Sequence, residues 1–261
     1  IMFLKENKFK DNYLVLCTSL IFFSYIPFKY LLAENIYIGV ASNFLKPMKV
    51  LKENFESNNE GQIFISSGSS GSLYAQIING APLDIFLSAD QDLPQKLEKT
   101  TKAVIGTRFT YATGKLVAYS TKKNFFSQSF PQILISNNVR YIGIGKPEYV
   151  PYGRAAKEVL ESLYIFKEIS SKLVLSKSVN QVFLMNYFGN LDIGFISKAD
   201  FISNNKKGKI WEIPHHLYSP IKQDAILLKN GEKKNNAKLF LKFLSTERTK
   251  EKLKKFGYIV D

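Results

Sequence analysis

Chemically versatile side chains are scarce in this chain of 261 residues, which holds one cysteine (Cys17), two histidines (His215 and His216) and one tryptophan. A single cysteine excludes a disulfide framework and a cysteine-rich metal centre. The two histidines are adjacent, so a regular strand or helix turns them to different sides and they cannot share one metal ion. They follow Pro214 and read as surface residues. A nucleophilic serine would have to recruit one of these imidazoles as its base. No Gly-x-Ser-x-Gly elbow supports that route, because Gly68-Ser69-Ser70-Gly71 has the wrong spacing. There is no repeat at a solenoid period, and compositional bias goes no further than enrichment in lysine and asparagine.

Basic residues, by contrast, are abundant: 36 lysines and arginines against 22 acids give a net charge of +14. Nucleic acid is the usual partner for such an excess. Here the lysines are scattered singly or lie in amphipathic stretches such as Lys233 to Lys255. A solvated face that attracts anions from a distance accounts for them, and no nucleic-acid partner is expected. The 45% hydrophobic content suffices for one large domain or two lobes.

Lys5, Lys8 and Lys10 precede an apolar run from Tyr13 to Phe28, and Leu32-Ala33 offers a small residue before Glu34. That order predicts a secretory signal peptide over residues 1–33, cleaved at Ala33. A retained membrane anchor is the alternative, for which the run is short and is broken by Ser19, Ser24 and Pro27. Cys17 lies in this segment, so the exported part would have no thiol.

Beyond it, strands alternate with helices. Ile36–Ala41 reads as a strand buried on both faces, followed by Ser42-Asn43 and a helical pattern of Met48, Leu51 and Phe55. Gln62 to Ile65 is a second strand, and Leu73, Ile77 and Ile78 recur at helical spacing until Gly80. Serines and glycines from Ser66 to Ser72 thus sit where a strand ends and a helix begins. First-turn N–H groups have no intrahelical acceptor and carry the positive end of the helix dipole, so small residues there let an anion approach. One such serine is ordinarily just a cap; repetition gives the device weight. Ile85–Leu87 with Ser88-Ala89-Asp90 is a third junction. This rhythm predicts a parallel sheet whose ligands bind beyond the carboxyl ends of the strands.

Arg108 to Ser120 reads as two extended pieces bent at Gly114, and Ile221 to Leu228 as a third. Between them lie a strand over Val139–Gly143, a loop over Lys146–Gly153, a helix over Arg154–Leu163, and a helix opened by Ser178-Val179-Asn180-Gln181. Two crossings predict an α/β fold of two lobes on a two-stranded hinge. The expected boundaries are 34–117 for the first lobe, 118–223 for the second, and 224–261 for the return of two C-terminal helices to the first.

Ala41-Ser42-Asn43-Phe44, Ser66 to Gly71, Gly80-Ala81-Pro82 with Ser88-Ala89-Asp90, and Phe109-Thr110-Tyr111 with Gly114 to Val117 together resemble the periplasmic molybdate-binding proteins of ABC importers. Pro151-Tyr152-Gly153, Ser178 to Gln181 and Gly189-Asn190 through Gly194-Phe195 continue the match in order. The resemblance implies the type II periplasmic-binding architecture, with molybdate or tungstate as ligand, no cofactor, no catalysis, a membrane permease as partner and a monomeric carrier in the periplasm. It implies oxyanion contacts from the hydroxyl and backbone of Ser42 and Ser70 and the backbone N–H of Asn43 in the first lobe, and from the backbone N–H groups of Tyr152 and Val179 in the second. These would touch the oxygens of molybdate and would not be direct metal ligands. Some members add a tyrosine hydroxyl near the strand Gly194-Phe195-Ile196; Phe195 has none, so that contact is not implied. Arg154 reads as a surface residue at a helix start. A sulfate or other oxyanion carrier and, from another class, an exported serine hydrolase using Ser70 remain as alternatives.

Overall fold

Continuous apolar runs mark strands covered on both faces, and in this chain they assemble two sheets. The computed structural model describes residues 34–123, 125, 129–204 and 207–260. The signal-peptide expectation lies outside these residues. Among the described residues no helix is long and apolar enough to cross a membrane.

The chain opens with β1 (Ile36–Ala41), a short 3-10 turn over Ser42–Phe44, and α1 (Leu45–Glu56), which buries Met48, Leu51 and Phe55. Then come β2 (Ile63–Gly68), α2 (Ser70–Ile78), β3 (Ile85–Leu87), α3 (Asp92–Glu98) and β4 (Phe109–Gly114). The next stretch holds β5 (Leu116–Ser120), α4 (Gln132–Ile135), β6 (Ile142–Gly145) and α5 (Pro151–Ser162). It continues with β7 (Leu173–Ser176), α6 (Val179–Tyr187), β8 (Ile193–Ser197), α7 (Lys198–Ser203) and β9 (Lys209–Glu212). β10 (Ile221–Leu227), α8 (Asn235–Leu244) and α9 (Glu247–Lys255) complete it.

One sheet has the order β2-β1-β3-β10-β4 and the other β7-β6-β8-β5-β9. β1 runs parallel to β2 and β3, and β6 parallel to β7 and β8. The strands next to the crossings, β4, β5, β9 and β10, pair antiparallel. Two lobes on two crossings are therefore present as expected.

The crossings fall elsewhere than 117/118 and 223/224. Leu116 and Val117 already pair with Ser197 and Ile196 in the second sheet, so the chain changes sheet at Lys115. Ile221, Lys222 and Gln223 already pair with Gly114, Thr113 and Ala112 in the first. At the first crossing only Lys115 separates β4 from β5, and at the second a 3-10 turn over His215–Leu217 leads into β10, whose extended stretch lies wholly in the first sheet; nothing in the apolar pattern of either extended stretch marks the change of partner. β6 likewise begins at Ile142 rather than Val139, and α4 and α7 are short helices that periodicity does not reveal.

α5 starts three residues earlier than its apolar pattern suggests. Pro151 occupies its first turn, where a fixed φ and a missing N–H suit the helix. The start is pressed against β6: a Cβ on Gly153 would collide with the backbone carbonyl of Gly145. Gly153→Ala must push α5 off the sheet, and overpacking of this kind costs about 2 kcal/mol. Urea denaturation checks this; a loss below about 0.5 kcal/mol would mean the helix start moves freely.

Candidate functional site

Three parallel strands of the first lobe end on one rim. β1 runs directly into Ser42, β2 into Ser69 and Ser70, and β3 into Ser88 and Ala89. Ala41 pairs with Gly68 at the strand ends, which sets Ser42 beside the start of α2. Ser69 caps α2 by accepting from Ser72 N at 3.2 Å. Ser70, the first residue of that helix, accepts from Ala89 N at 2.9 Å. Its own hydroxyl proton is thereby left for an outside acceptor. Among the described residues the Ser42 hydroxyl has no hydrogen-bond partner, although the residue is buried.

The second lobe presents two helix starts. Tyr152 is the second residue of α5 and Val179 the first of α6, whose cap Ser178 accepts from Gln181 N at 3.2 Å. The 3-10 turn carrying Ser42 and Asn43 packs against α6. Asn43 and Tyr152 meet through one side chain: Gln223 Oε1 accepts from Asn43 Nδ2 at 3.0 Å, and Gln223 Nε2 donates to the Tyr152 hydroxyl at 3.1 Å. Ser42, Asn43, Ser70, Tyr152 and Val179 are all buried, between 1% and 8% exposed. A cleft of about 380 Å³ beside Asp90 and Arg154 and a groove of about 760 Å³ beside Gly71 and Tyr149 have none of the five in their walls.

Further direct contacts join the lobes. Gly71 N donates to the Tyr149 carbonyl at 3.0 Å, Lys46 Nζ reaches the Ser203 carbonyl at 3.1 Å, and Arg154 Nη2 meets Asp90 Oδ2 at 2.7 Å. Arg154 is thus a bridge between lobes, against the surface role expected of it. Its partner Asp90 also receives the Ser88 hydroxyl at 3.0 Å and Leu93 N at 3.2 Å. Phe195 is core, packed edge-on against Phe130.

Around the site the phenols are held uncharged. Burial pushes the phenols of Tyr111, Tyr152 and Tyr258 upward, and nearby phenols and carboxylates add to the shift, so all three remain donors. Asp200 in α7 accepts from Ser197 Oγ at 2.6 Å and from Asn180 Nδ2 at 3.1 Å, next to Val179. Burial pushes its carboxyl up to about 6 despite those two bonds.

Sequence reasoning missed Gln223, Tyr111, Tyr258 and Asp200. The available signal was the polar pair Gln223-Asp224 at buried positions, where Lys222 before it is exposed and Ala225 to Leu227 after it are apolar. Ser70 shows no base: its oxygen is engaged by Ala89 N, while His215 and His216 are exposed in a 3-10 turn beyond β9.

Two α/β lobes, crossed twice and closed over buried helix starts, are the build of a solute-binding protein. Residues 36–259 match the model of the bacterial extracellular solute-binding protein family, and the chain belongs to that family. It is 36% identical over 228 residues to the molybdate-binding protein ModA of Azotobacter vinelandii, covering 87% of this chain and 90% of the relative. The ModA of Rhodobacter capsulatus is likewise 36% identical, over 88% of this chain and 90% of its own. The solved structure of the Azotobacter vinelandii periplasmic molybdate-binding protein superposes with a TM-score of 0.82 at 35% identity, over 87% of this chain and 99% of that one.

Asp200 generates a pH prediction. Its raised pKa means the folded state holds a proton that the unfolded chain has released between about pH 4 and 6, so this group's contribution to stability falls as pH rises through that window. From pH 5 to 7.5 the loss is about 1.4 kcal/mol. Asp200→Asn should lack this component; equal pH slopes in denaturant titrations of both proteins would exclude it.

Proposed function

We propose that the protein captures molybdate, and tungstate of the same charge and shape, outside the cytoplasmic membrane and delivers it to the permease of an ABC importer. The observation that carries this is the pair of buried serines, Ser42 with no protein partner and Ser70 with its proton unused, at strand ends facing the second lobe. Molybdate and tungstate are fully deprotonated dianions at neutral pH and require donors alone. Ser42, Asn43 and Ser70 supply them from one lobe, and the backbone N–H groups of Tyr152 and Val179 from the other. Phosphate retains a proton in part of its population and would want an acceptor. Asp90 does not offer one, being taken up by Arg154, Ser88 and Leu93.

Because each lobe contributes part of the donor set, the anion binds the closed form best and draws the population toward it. The carrier works as a monomer, holds no cofactor and makes no covalent bond to its cargo. The ModA relatives support the choice of molybdate. Sulfate would fit the same donor chemistry in a smaller cavity.

Calorimetry with molybdate, tungstate, sulfate and phosphate tests the reading. Molybdate and tungstate should bind much more tightly than the other two; a preference for sulfate would reassign the cargo. Ser42→Ala and Ser70→Ala should each weaken molybdate binding by about 1.5–3 kcal/mol, the range for a hydrogen bond to a charged group. Unchanged affinity in the double variant would reject the assignment.

A further inference from the structure

Gln223 is wholly buried in the strand by which the chain returns to the first lobe, at the irregularity where β10 slips against β4 between Gln223 and Asp224. Both ends of its carboxamide are used. Oε1 accepts from Asn43 Nδ2 at 3.0 Å and from the Tyr111 hydroxyl at 2.9 Å, while Nε2 donates to the Tyr152 hydroxyl at 3.1 Å. The pattern is self-consistent, since an amide nitrogen in the Oε1 position could not accept from Asn43. Asn43 is fixed from its other side as well: its Nδ2 also donates to the Tyr258 hydroxyl at 3.0 Å, and that hydroxyl donates to the Asn43 carbonyl at 3.0 Å.

Tyr152 is seated in the hinge rather than in its own lobe's surface. Its hydroxyl fills the space beside Gly114, the last residue of β4, where any Cβ would collide with it and would lie 2.6 Å from Gln223 Nε2. Gly114 pairs with Ile221, so Gly114 and Gln223 belong to the two crossing strands themselves. The backbone of Tyr152 opens α5 in the second lobe, whereas its phenol ends against a first-lobe strand.

We infer that Gln223 is a positioning residue for anion capture, tying the Asn43 turn of the first lobe to the Tyr152 helix start of the second in the closed register. The inference rests on the reading that the anion is held between those two segments. On opening, a rotation of α5 away from the hinge strands must withdraw the phenol from Gly114 and break the Nε2 bond. That bond therefore belongs to the closed form and stabilises it together with the anion. Neither end of the carboxamide touches the anion; its effect runs through Asn43 and Tyr152.

The test measures molybdate affinity and dissociation rate for the wild type, Tyr152→Phe, Gln223→Met and the double variant, with the melting temperature of each ligand-free protein. Tyr152→Phe keeps the ring and removes the Nε2 acceptor. It should bind about tenfold more weakly through faster dissociation, and Gln223→Met about a hundredfold more weakly, since it also frees Asn43. The double variant should match Gln223→Met within about twofold, because both remove the same bond. A purely structural role would lower the melting temperature and leave the affinity of the folded protein unchanged. Should Gln223→Met fail to fold, Tyr152→Phe decides alone: a tenfold loss supports the inference and an unchanged dissociation rate overturns it. Losses that multiply in the double variant also overturn it. A wild type that binds none of the four anions defeats the cargo assignment and this inference together, whereas a wild type that binds, with variants equal to it, defeats this inference alone.

Discussion

The ion pair between Arg154 and Asp90 sets the charge beside the serine rim. Asp90 follows Ala89, whose N–H engages Ser70, so an unpaired carboxylate there would stand beside the hydroxyl proposed to bind the anion. A buried carboxylate is costly without a partner, and it would repel a dianion as well. Arg154 removes both problems from across the lobe junction, and the hydroxyl of Ser88 and the N–H of Leu93 satisfy the remaining lone pairs. Arg154 is the fourth residue of α5, which begins at Pro151, and its guanidinium reaches Asp90 from that first turn. Gly153 permits that approach by letting α5 lie against β6. A steric allowance at one glycine thus propagates to the electrostatics of the site.

Much of this architecture is legible in the sequence, and the limits of that legibility are physical. Strands such as Ile36–Ala41 and Ile85–Leu87 declare themselves because burial on both faces demands unbroken apolar runs. The serine junctions declare themselves because small residues cluster where backbone must be approached. The crossings do not, since extended backbone looks the same whichever sheet it pairs with, and Leu116 and Ile221 therefore fall on unexpected sides. What Arg154 and Gln223 bind is illegible for another reason. Their partners, Asp90, Asn43 and Tyr152, lie 64 to 180 residues away in the chain, and nothing local in a strand or helix announces so distant a contact.

The buried polar groups divide into two kinds. Asp224, fully buried, is closed off by Arg108 at 2.6 Å and Thr110 at 2.6 Å and serves the first sheet where β10 is irregular. Gln223, its neighbour, points to the other side of the strand, as alternation requires, and serves the junction between lobes. One register shift between β10 and β4, with Tyr111 of β4 as the extra residue, therefore anchors the first sheet on one face and the lobe junction on the other. Polar residues at adjacent positions of a buried strand cost stability unless they are bonded, and every side-chain oxygen and nitrogen of both has a partner.

The surface charge and the neutral site complement each other. A net charge of +14 raises the local concentration of any anion and speeds encounter, but at physiological salt such attraction fades within about 8 Å and does not distinguish one dianion from another. Selection has to come from short-range geometry in a dry site, where a donor without an acceptor is expensive. Lysines inside the site would have strengthened attraction for every oxyanion alike. On the proposed function, hydroxyls and helix starts, with Gly114, Gly153 and the hinge carboxamide around them, instead reward an anion that fills the space and accepts from all sides. Long-range attraction is thus left to exposed lysines, and discrimination to buried groups that carry no charge.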